Sequence, residues 1–272
     1  MDWTQGYASR WRVERVDPNT WESCGTLEGV EKIEVERDAT DRAPLLETAS
    51  MTVTAPALAS FEPGWHRIVM EAVQGSTGES VAIATVWLDV DNSTYDRGYR
   101  SDDIEGRSTL CQAADSEVGD GSYAPKGADG AAFAGDMIAA VSDAPVHVEG
   151  GFQLHDHVVF DLGASVLEAA WDVVEAGGYC MQIDGRGEIH VIPMPTVPAL
   201  DLDRAGACTL MPKVKSRGGE VEYEREWAPN VHPFSIVRGA IPERGLDGFY
   251  RIATQKLVCD KGVSVEETAE EV

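Results

Sequence analysis

Residues 163–195 read GASVLEAAWDVVEAGGYCMQIDGRGEIHVIPMP, and this stretch decides the fold. Ser165 followed three residues later by Glu168 is a capping box, which satisfies amide donors left open at a helix start. Val166, Leu167, Ala170, Val173 and Val174 recur at helical spacing and form one apolar stripe. Gly177 and Gly178 supply the left-handed backbone that stops a helix. Tyr179, Met181 and Ile183 alternate with Cys180 and Gln182 as in a half-buried strand. Asp184-Gly185 is a hairpin turn, with Arg186-Gly187 able to extend it into a bulged loop. Ile189, Val191 and Pro193 resume the alternation. The unit is a helix followed by a hairpin, and it carries architecture rather than bond-making chemistry.

Working outward, residues 7–98 read as mostly strand. Alternation marks Tyr7 to Val13; Val30, Ile33 and Val35; Ser50 to Thr54; Trp65 to Ala72; and Val81 to Leu88. Asp17-Pro18-Asn19 and Gln74 to Gly78 are turn signals. Short strands with regular turns suggest a sandwich or a barrel. From Gly98 the texture changes. Ser108–Val118 and Ala131–Val141 predict short helices, Gly119–Gly130 a mobile glycine-rich loop, and Pro145–Gly150 a strand. Beyond Pro195, Pro198 and Pro212 the chain turns β again. Glu220–Trp227 predicts an edge strand or a wet face, with further strands over Ser235–Gly239 and Phe249–Val258. Residues 264–272 predict a frayed acidic tail. The result is an α+β, β-dominated chain in three parts. Residues 1–98 form a β domain and 99–198 an α/β domain holding the helix–hairpin unit. Residues 199–272 form a second β unit that packs with the first.

The chain has 22 Lys and Arg against 47 Asp and Glu, a formal net charge of −25. Nucleic-acid binding needs phosphate neutralisation, so this surface repels DNA and disfavours anionic membranes. The charge suits either a surface past which nucleic acid slides or adaptation to an acidic host proteome. Cys24, Cys111, Cys180, Cys208 and Cys259 are scattered, and no two make a C-x-x-C pair, which excludes a disulfide scaffold or zinc framework. Met1-Asp2-Trp3 lacks the basic start and apolar core of a signal peptide, and no apolar run approaches the ~20 residues that span a bilayer. A soluble protein made in a reducing cytoplasm, without membrane insertion, is expected.

Candidate chemistry is sparse. His155-Asp156-His157 is the metal candidate, because alternate residues of a strand share a face and both imidazoles could reach one ion. No companion ligand lies at short spacing, so a solvent-facing or interface histidine pair is the favoured reading. Adjacent acids (Asp102 and Asp103; Glu222, Glu224 and Glu226) arise by chance in so acidic a chain and do not define a glycosidase pair. No G-x-S-x-G, reactive-cysteine context or phosphate loop is present, so no catalytic residue and no cofactor site is assigned. Trp65 and Trp87 read as core, whereas Trp171, at the edge of its helix's stripe, is a candidate contact to another domain.

Taken in order, Tyr7-x-x-x-Trp11-x-Val13, Trp65-His66-Arg67-Ile68, Ala176-Gly177-Gly178-Tyr179, Asp184-Gly185-Arg186-Gly187 with Pro193, Pro229-Asn230-Val231 and Phe249-Tyr250-Arg251-Ile252 resemble a known family. It is the baseplate-hub or tail-tip hub family of tailed bacteriophages, including late-control hub proteins and the N-terminal region of tail-associated proteins. The resemblance runs from about residue 5 to 262. It implies two tail-tube-like β-barrel units per chain with the α/β portion between them. It also implies a homotrimer presenting a pseudo-hexameric ring to the tail tube or distal tail protein. The other implied partners are the tape measure protein and a distal spike or receptor-binding protein, with DNA passing without specific binding. The implied place is the virion tail tip, assembled in the host bacterial cytoplasm, and the implied role is structural rather than enzymatic. The alternatives are a carbohydrate-binding module of a receptor-binding protein, marked by a shallow groove with exposed aromatics, and a hexameric distal tail adaptor, separated by stoichiometry.

Overall fold

A computed structural model describes residues 1, 3, 6–39, 45–59, 61–96, 99–202, 213–214, 219–242 and 246–272. Cys208 and Pro212 lie outside the described residues. The N-terminal part runs β1 (Ala8–Val16), β2 (Ser23–Leu27), β3 (Val30–Asp38), β4 (Leu46–Val53), α1 (Ala55–Ala59), β5 (Gly64–Gln74), β6 (Thr77–Asp96) and β7 (Tyr99–Arg107). Next come α2 (Cys111–Asp115), β8 (Tyr123–Ala124), α3 (Gly130–Ala139), β9 (Val146–Val148), β10 (Val158–Val159), α4 (Val166–Ala176), β11 (Tyr179–Ile183) and β12 (Ile189–Pro193). The chain closes with β13 (Pro198–Leu202), β14 (Lys213–Val214), β15 (Glu220–Glu226), β16 (Ile236–Ile241), β17 (Leu246–Cys259) and β18 (Val263–Glu271).

The fold is α+β and β-dominated. One 13-stranded sheet carries the order β14-β15-β18-β17-β3-β4-β7-β6-β5-β1-β2, with β16 on β17 and β13 on β16. The first and last parts of the sequence therefore share one sheet through the β3–β17 pair, in which Ile33 faces Cys259 and Asp38 faces Thr254. β17 serves two cores. Its first half pairs with β16 and its second half with β3, while β18 runs along both. A register shift between Ile252 and Thr254 lets it do so. Before the shift Tyr250 and Ile252 are buried, and after it Gln255, Leu257 and Cys259 are. A bulge changes which parity of a strand points inward.

The helix–hairpin unit forms as the sequence dictates. Ser165 Oγ accepts from Glu168 N at 3.1 Å, and Glu168 Oε2 accepts from Ser165 N at 2.8 Å. The two glycines do different work. Gly178 alone is left-handed (φ 69°). Gly177 is needed because a Cβ there would lie 2.3 Å from the Phe152 ring. In the hairpin the left-handed residue is Gly187 (φ 76°), and Gly187 N donates to Asp184 O at 3.0 Å. β12 then pairs in parallel with β9.

Several expectations are corrected. Residues 264–272 are not a frayed tail, because Val263–Glu271 is strand β18, paired between β15 and β17. Val263, Val265 and Ala269 alternate inward, and the acid at Glu267 is buried beside Arg225. Glu220–Glu226 keeps the wet face its glutamates predict, but its other face is core and the strand is not a bare edge. β15 pairs with β18 on one side and with the two residues of β14 on the other, burying Val221, Tyr223 and Arg225. Gly119–Gly130 is mostly loop, as expected, but carries one short strand. Tyr123–Ala124 pairs with Val158–Val159, and Gly130 opens α3 under the Asp129 cap. β7 continues the sheet past residue 98, pairing with β6 and β4. Among the described residues, no closed barrel is formed and no helix is long and apolar enough to cross a membrane.

Candidate functional site

The described residues build three apolar clusters. One lies inside the α/β part and draws in Trp65 from β5, Trp21 from the β1–β2 connection and Phe234 from the turn before β16. A second fills the space under β1, β3–β7 and the ends of β17 and β18, and a third lies under β15–β17.

The α/β part is locked to the sheet by the tip of its hairpin. Thr85 Oγ1 donates to Gly185 O at 3.1 Å, and Trp21 Nε1 donates to Arg186 O at 2.9 Å. Arg67 Nη2 donates to both Arg186 O (3.2 Å) and Trp21 O (3.1 Å). Gly185 lies so close to β6 that a Cβ would stand 1.9 Å from the Ala82 carbonyl oxygen. The Trp65-His66-Arg67-Ile68 and Asp184-Gly185-Arg186-Gly187 segments, separate in sequence, thus meet. Trp65 packs edge-on against Trp21 and Trp87, at 5.5 and 5.3 Å. His66 stacks on Phe61, and burial holds its pKa below the usual histidine range. On the far side of α4, Trp171 stacks on Phe234 at 5.6 Å and is only 5% exposed.

A buried polar chain joins the two sheet cores. Arg225 Nε and Nη2 make a two-pronged pair with Glu267 (2.8 and 2.6 Å). Gln255 Nε2 donates to Glu267 Oε1 (2.7 Å) and to Val231 O (3.0 Å). Gln255 Oε1 in turn accepts from Arg37 Nη1 (3.0 Å), whose Nε pairs with Glu47. Pro229-Asn230-Val231 therefore presents a carbonyl to this network, with Asn230 left-handed at φ 63°. Desolvation opposes the charge on Arg225, but Glu267 outweighs it and raises its pKa.

The opposite face of the same strands is strongly acidic. It forms a trough of about 770 Å³ lined by Glu36, Asp38, Glu222, Glu224, Lys256 and Glu266, with Thr48, Thr254 and Thr268 between them. It continues across Glu34, Ser50, Asp89, Glu105 and Arg107. Strand register sets one row of this surface as Glu224, Glu266, Lys256, Glu36, Thr48 and Arg107. Lys256 Nζ sits 2.7 Å from Glu36 Oε1 and 3.0 Å from Glu34 Oε2, and these hydrogen bonds push its pKa up to about 12. Arg107 pairs with Asp115, with two contacts of 2.7 Å. Lys256 is thus held by acids of this face and Arg107 by Asp115 of α2, and directly facing carboxylates such as Glu224 and Glu266 repel one another. Such a surface offers a polyanion nothing to neutralise.

The other sequence candidates are dispersed. His155 and Asp156 lie in a bend rather than on a strand, so the alternation that would align His155 with His157 is absent. His157 Nδ1 accepts from Lys126 N at 3.1 Å, and its ring meets Tyr123 edge-on. Asp102 and Asp103 fall on β7, and their side chains lie outside the described set. Cys24, Cys111, Cys180 and Cys259 are free thiols, and burial pushes Cys180 and Cys259 up to about 12. Sequence reasoning missed the Arg37–Glu47 and Arg225–Glu267 pairs. The one available signal was the phase of Val221, Tyr223 and Arg225, which places the arginine on the apolar side.

No protein-family model and no curated protein matches the sequence. Solved structures share the fold along its whole length. The tail protein from Neisseria meningitidis MC58 superposes with a TM-score of 0.63 at 12% identity, covering 98% of this chain and 96% of that one. The tail protein of prophage MuSo2 from Shewanella oneidensis gives 0.66 at 12% identity, covering 98% and 97%. The E. coli c3393 protein gives 0.51 at 9% identity, covering 90% of this chain and 74% of that one. It is described as a type VI secretion component structurally similar to the T4 tail proteins gp27 and gp5. The chain thus has the fold of these phage-tail and type VI secretion proteins.

Proposed function

We propose that this chain is a structural component of a phage or prophage tail tip, the hub that closes the tail tube and connects it to distal receptor-binding or cell-puncturing proteins. The observation that carries the reading is the end-to-end superposition on tail proteins, with 98% of this chain and 97% of the prophage MuSo2 protein covered. In this reading the β parts at either end of the sequence are the two tube-like units of the hub. The α/β segment between them, 99–198, is fixed outside by the hairpin lock. Three copies form a ring, and the acidic trough turns toward a lumen through which tape measure and DNA pass without sticking. The work is mechanical and needs no catalytic group. In phage particles assembled with an epitope-tagged copy, antibody label is expected at the distal end of the tail. Label spread along the tube, or absent from particles, would overturn the assignment.

A further inference from the structure

The parallel β9–β12 pair sets His147 directly beside His190. Their rings stack at 5.1 Å with an interplanar angle of 27°. The hairpin loop brings Asp184 and Glu188 against them, and is itself fixed because Glu188 N donates to Asp184 Oδ1 at 2.9 Å. One ligand atom each from Asp184, Glu188 and His190 lie within 4.8 Å of one another. Their side chains are 33%, 20% and 27% exposed, so they are held rather than splayed into solvent.

The geometry points to a divalent transition-metal site made by Asp184, Glu188 and His190, of the zinc or cobalt class. His190 Nε2 stands 3.5 Å from Asp184 Oδ2, long for a charge-assisted hydrogen bond. It is close to the ~3.4 Å edge of a tetrahedron built on bonds of 2.0–2.1 Å. A mixed imidazole and carboxylate set suits these borderline ions better than calcium or magnesium. His147 Nε2 lies 2.7 Å from Glu188 Oε2 and orients that carboxylate from outside the ligand set. Arg186 Nε lies 3.0 Å from Glu188 Oε1 and opposes a cation, but Glu22 engages Arg186 in turn at 3.3 Å. The site occupies the loop whose Gly185 and Arg186 dock on the sheet, so a bound ion would stiffen that lock. The inference rests on this geometry and is independent of the tail-tip reading.

The test is calorimetric titration of the full tag-free chain with zinc chloride, together with the visible spectrum of the cobalt(II) form. One saturable site, an intense four-coordinate cobalt band and a raised Tm are expected. His190→Gln and Asp184→Asn should each abolish stoichiometric binding, and His147→Gln should weaken it by roughly 10- to 100-fold. His155→Gln and His157→Gln should leave it unchanged. Circular dichroism identifies any variant that fails to fold, and the remaining ligand variant then decides. Absence of saturable binding to the wild-type chain, binding that survives the folded ligand variants, or binding lost with the His155 and His157 variants would each overturn the site.

Discussion

Gly185→Ala isolates the hairpin lock. Gly185 is not left-handed, so alanine fits the turn itself and the cost arises from docking. The added Cβ would stand 1.9 Å from Ala82 O, 2.5 Å from Ala82 C and 2.9 Å from Ile83 N. All three are main-chain atoms of a paired strand that cannot swing aside. The tip must retreat by about 1.5 Å to reach even a tight van der Waals contact. The same retreat stretches three hydrogen bonds now at 2.9–3.2 Å, from Thr85, Trp21 and Arg67, beyond bonding distance. Overpacking costs about 1–3 kcal/mol and each of the three lost bonds about 1 kcal/mol, so a loss of about 4–6 kcal/mol is expected. Gly178→Ala is the control. It forces alanine to φ 69° in open space and should cost only about 1–2 kcal/mol. Urea unfolding followed by tryptophan fluorescence reads both, because Trp21 and Trp65 sit at the lock. A Gly185→Ala midpoint equal to that of Gly178→Ala would refute the docking argument.

Further outcomes follow from the same structure. Glu267→Ala strands the buried Arg225 guanidinium and should cost about 3–5 kcal/mol in urea unfolding, while Arg225→Met with Glu267→Leu should recover most of it. Trp171→Ala removes the stack on Phe234 and should cost about 3–5 kcal/mol by the same assay. Burial depresses the pKa of His232 to about 3 and lowers that of His66, so the folded chain binds fewer protons than the unfolded one. Stability should be full above pH 6.5 and fall below it, by about 1.4 kcal/mol per pH unit for each such proton, and His232→Gln should flatten the slope. His190 runs the other way, because Asp184 raises its pKa and its contribution is lost as pH rises through that value. Replacing Glu36, Glu224 and Glu266 together by lysine should create salt-sensitive retention of duplex DNA that the wild-type chain lacks, read by gel shift at low and moderate salt.

The parts of the fold legible in the sequence are those set by local rules. The Ser165–Glu168 box, the stripe on α4 and the Tyr179–Ile183 strand depend only on near neighbours, although Cys180, which the alternation places on the polar side, is buried. Long-range pairing was not legible. Val263 to Glu271 looks like an acidic tail because four glutamates dominate it, and only the partner strands β15 and β17 give its valines and Ala269 a core to face. Arg225 reads as surface until Glu267, 42 residues away, neutralises it. The acidic face was visible as net charge but not as a surface, because Glu36, Glu224 and Glu266 become neighbours only through β17 and β18. Three of the resemblance motifs are contact segments: Arg67 donates to the Arg186 carbonyl, and the Val231 carbonyl joins the buried network.

The most direct measurement is cryo-electron microscopy of the purified chain at high concentration, alone and mixed with its cognate tail-tube protein. A threefold ring whose central opening is lined by Glu36, Glu224 and Glu266 is the expected result. A monodisperse monomer in both samples, or a ring with that face turned outward, would contradict the hub.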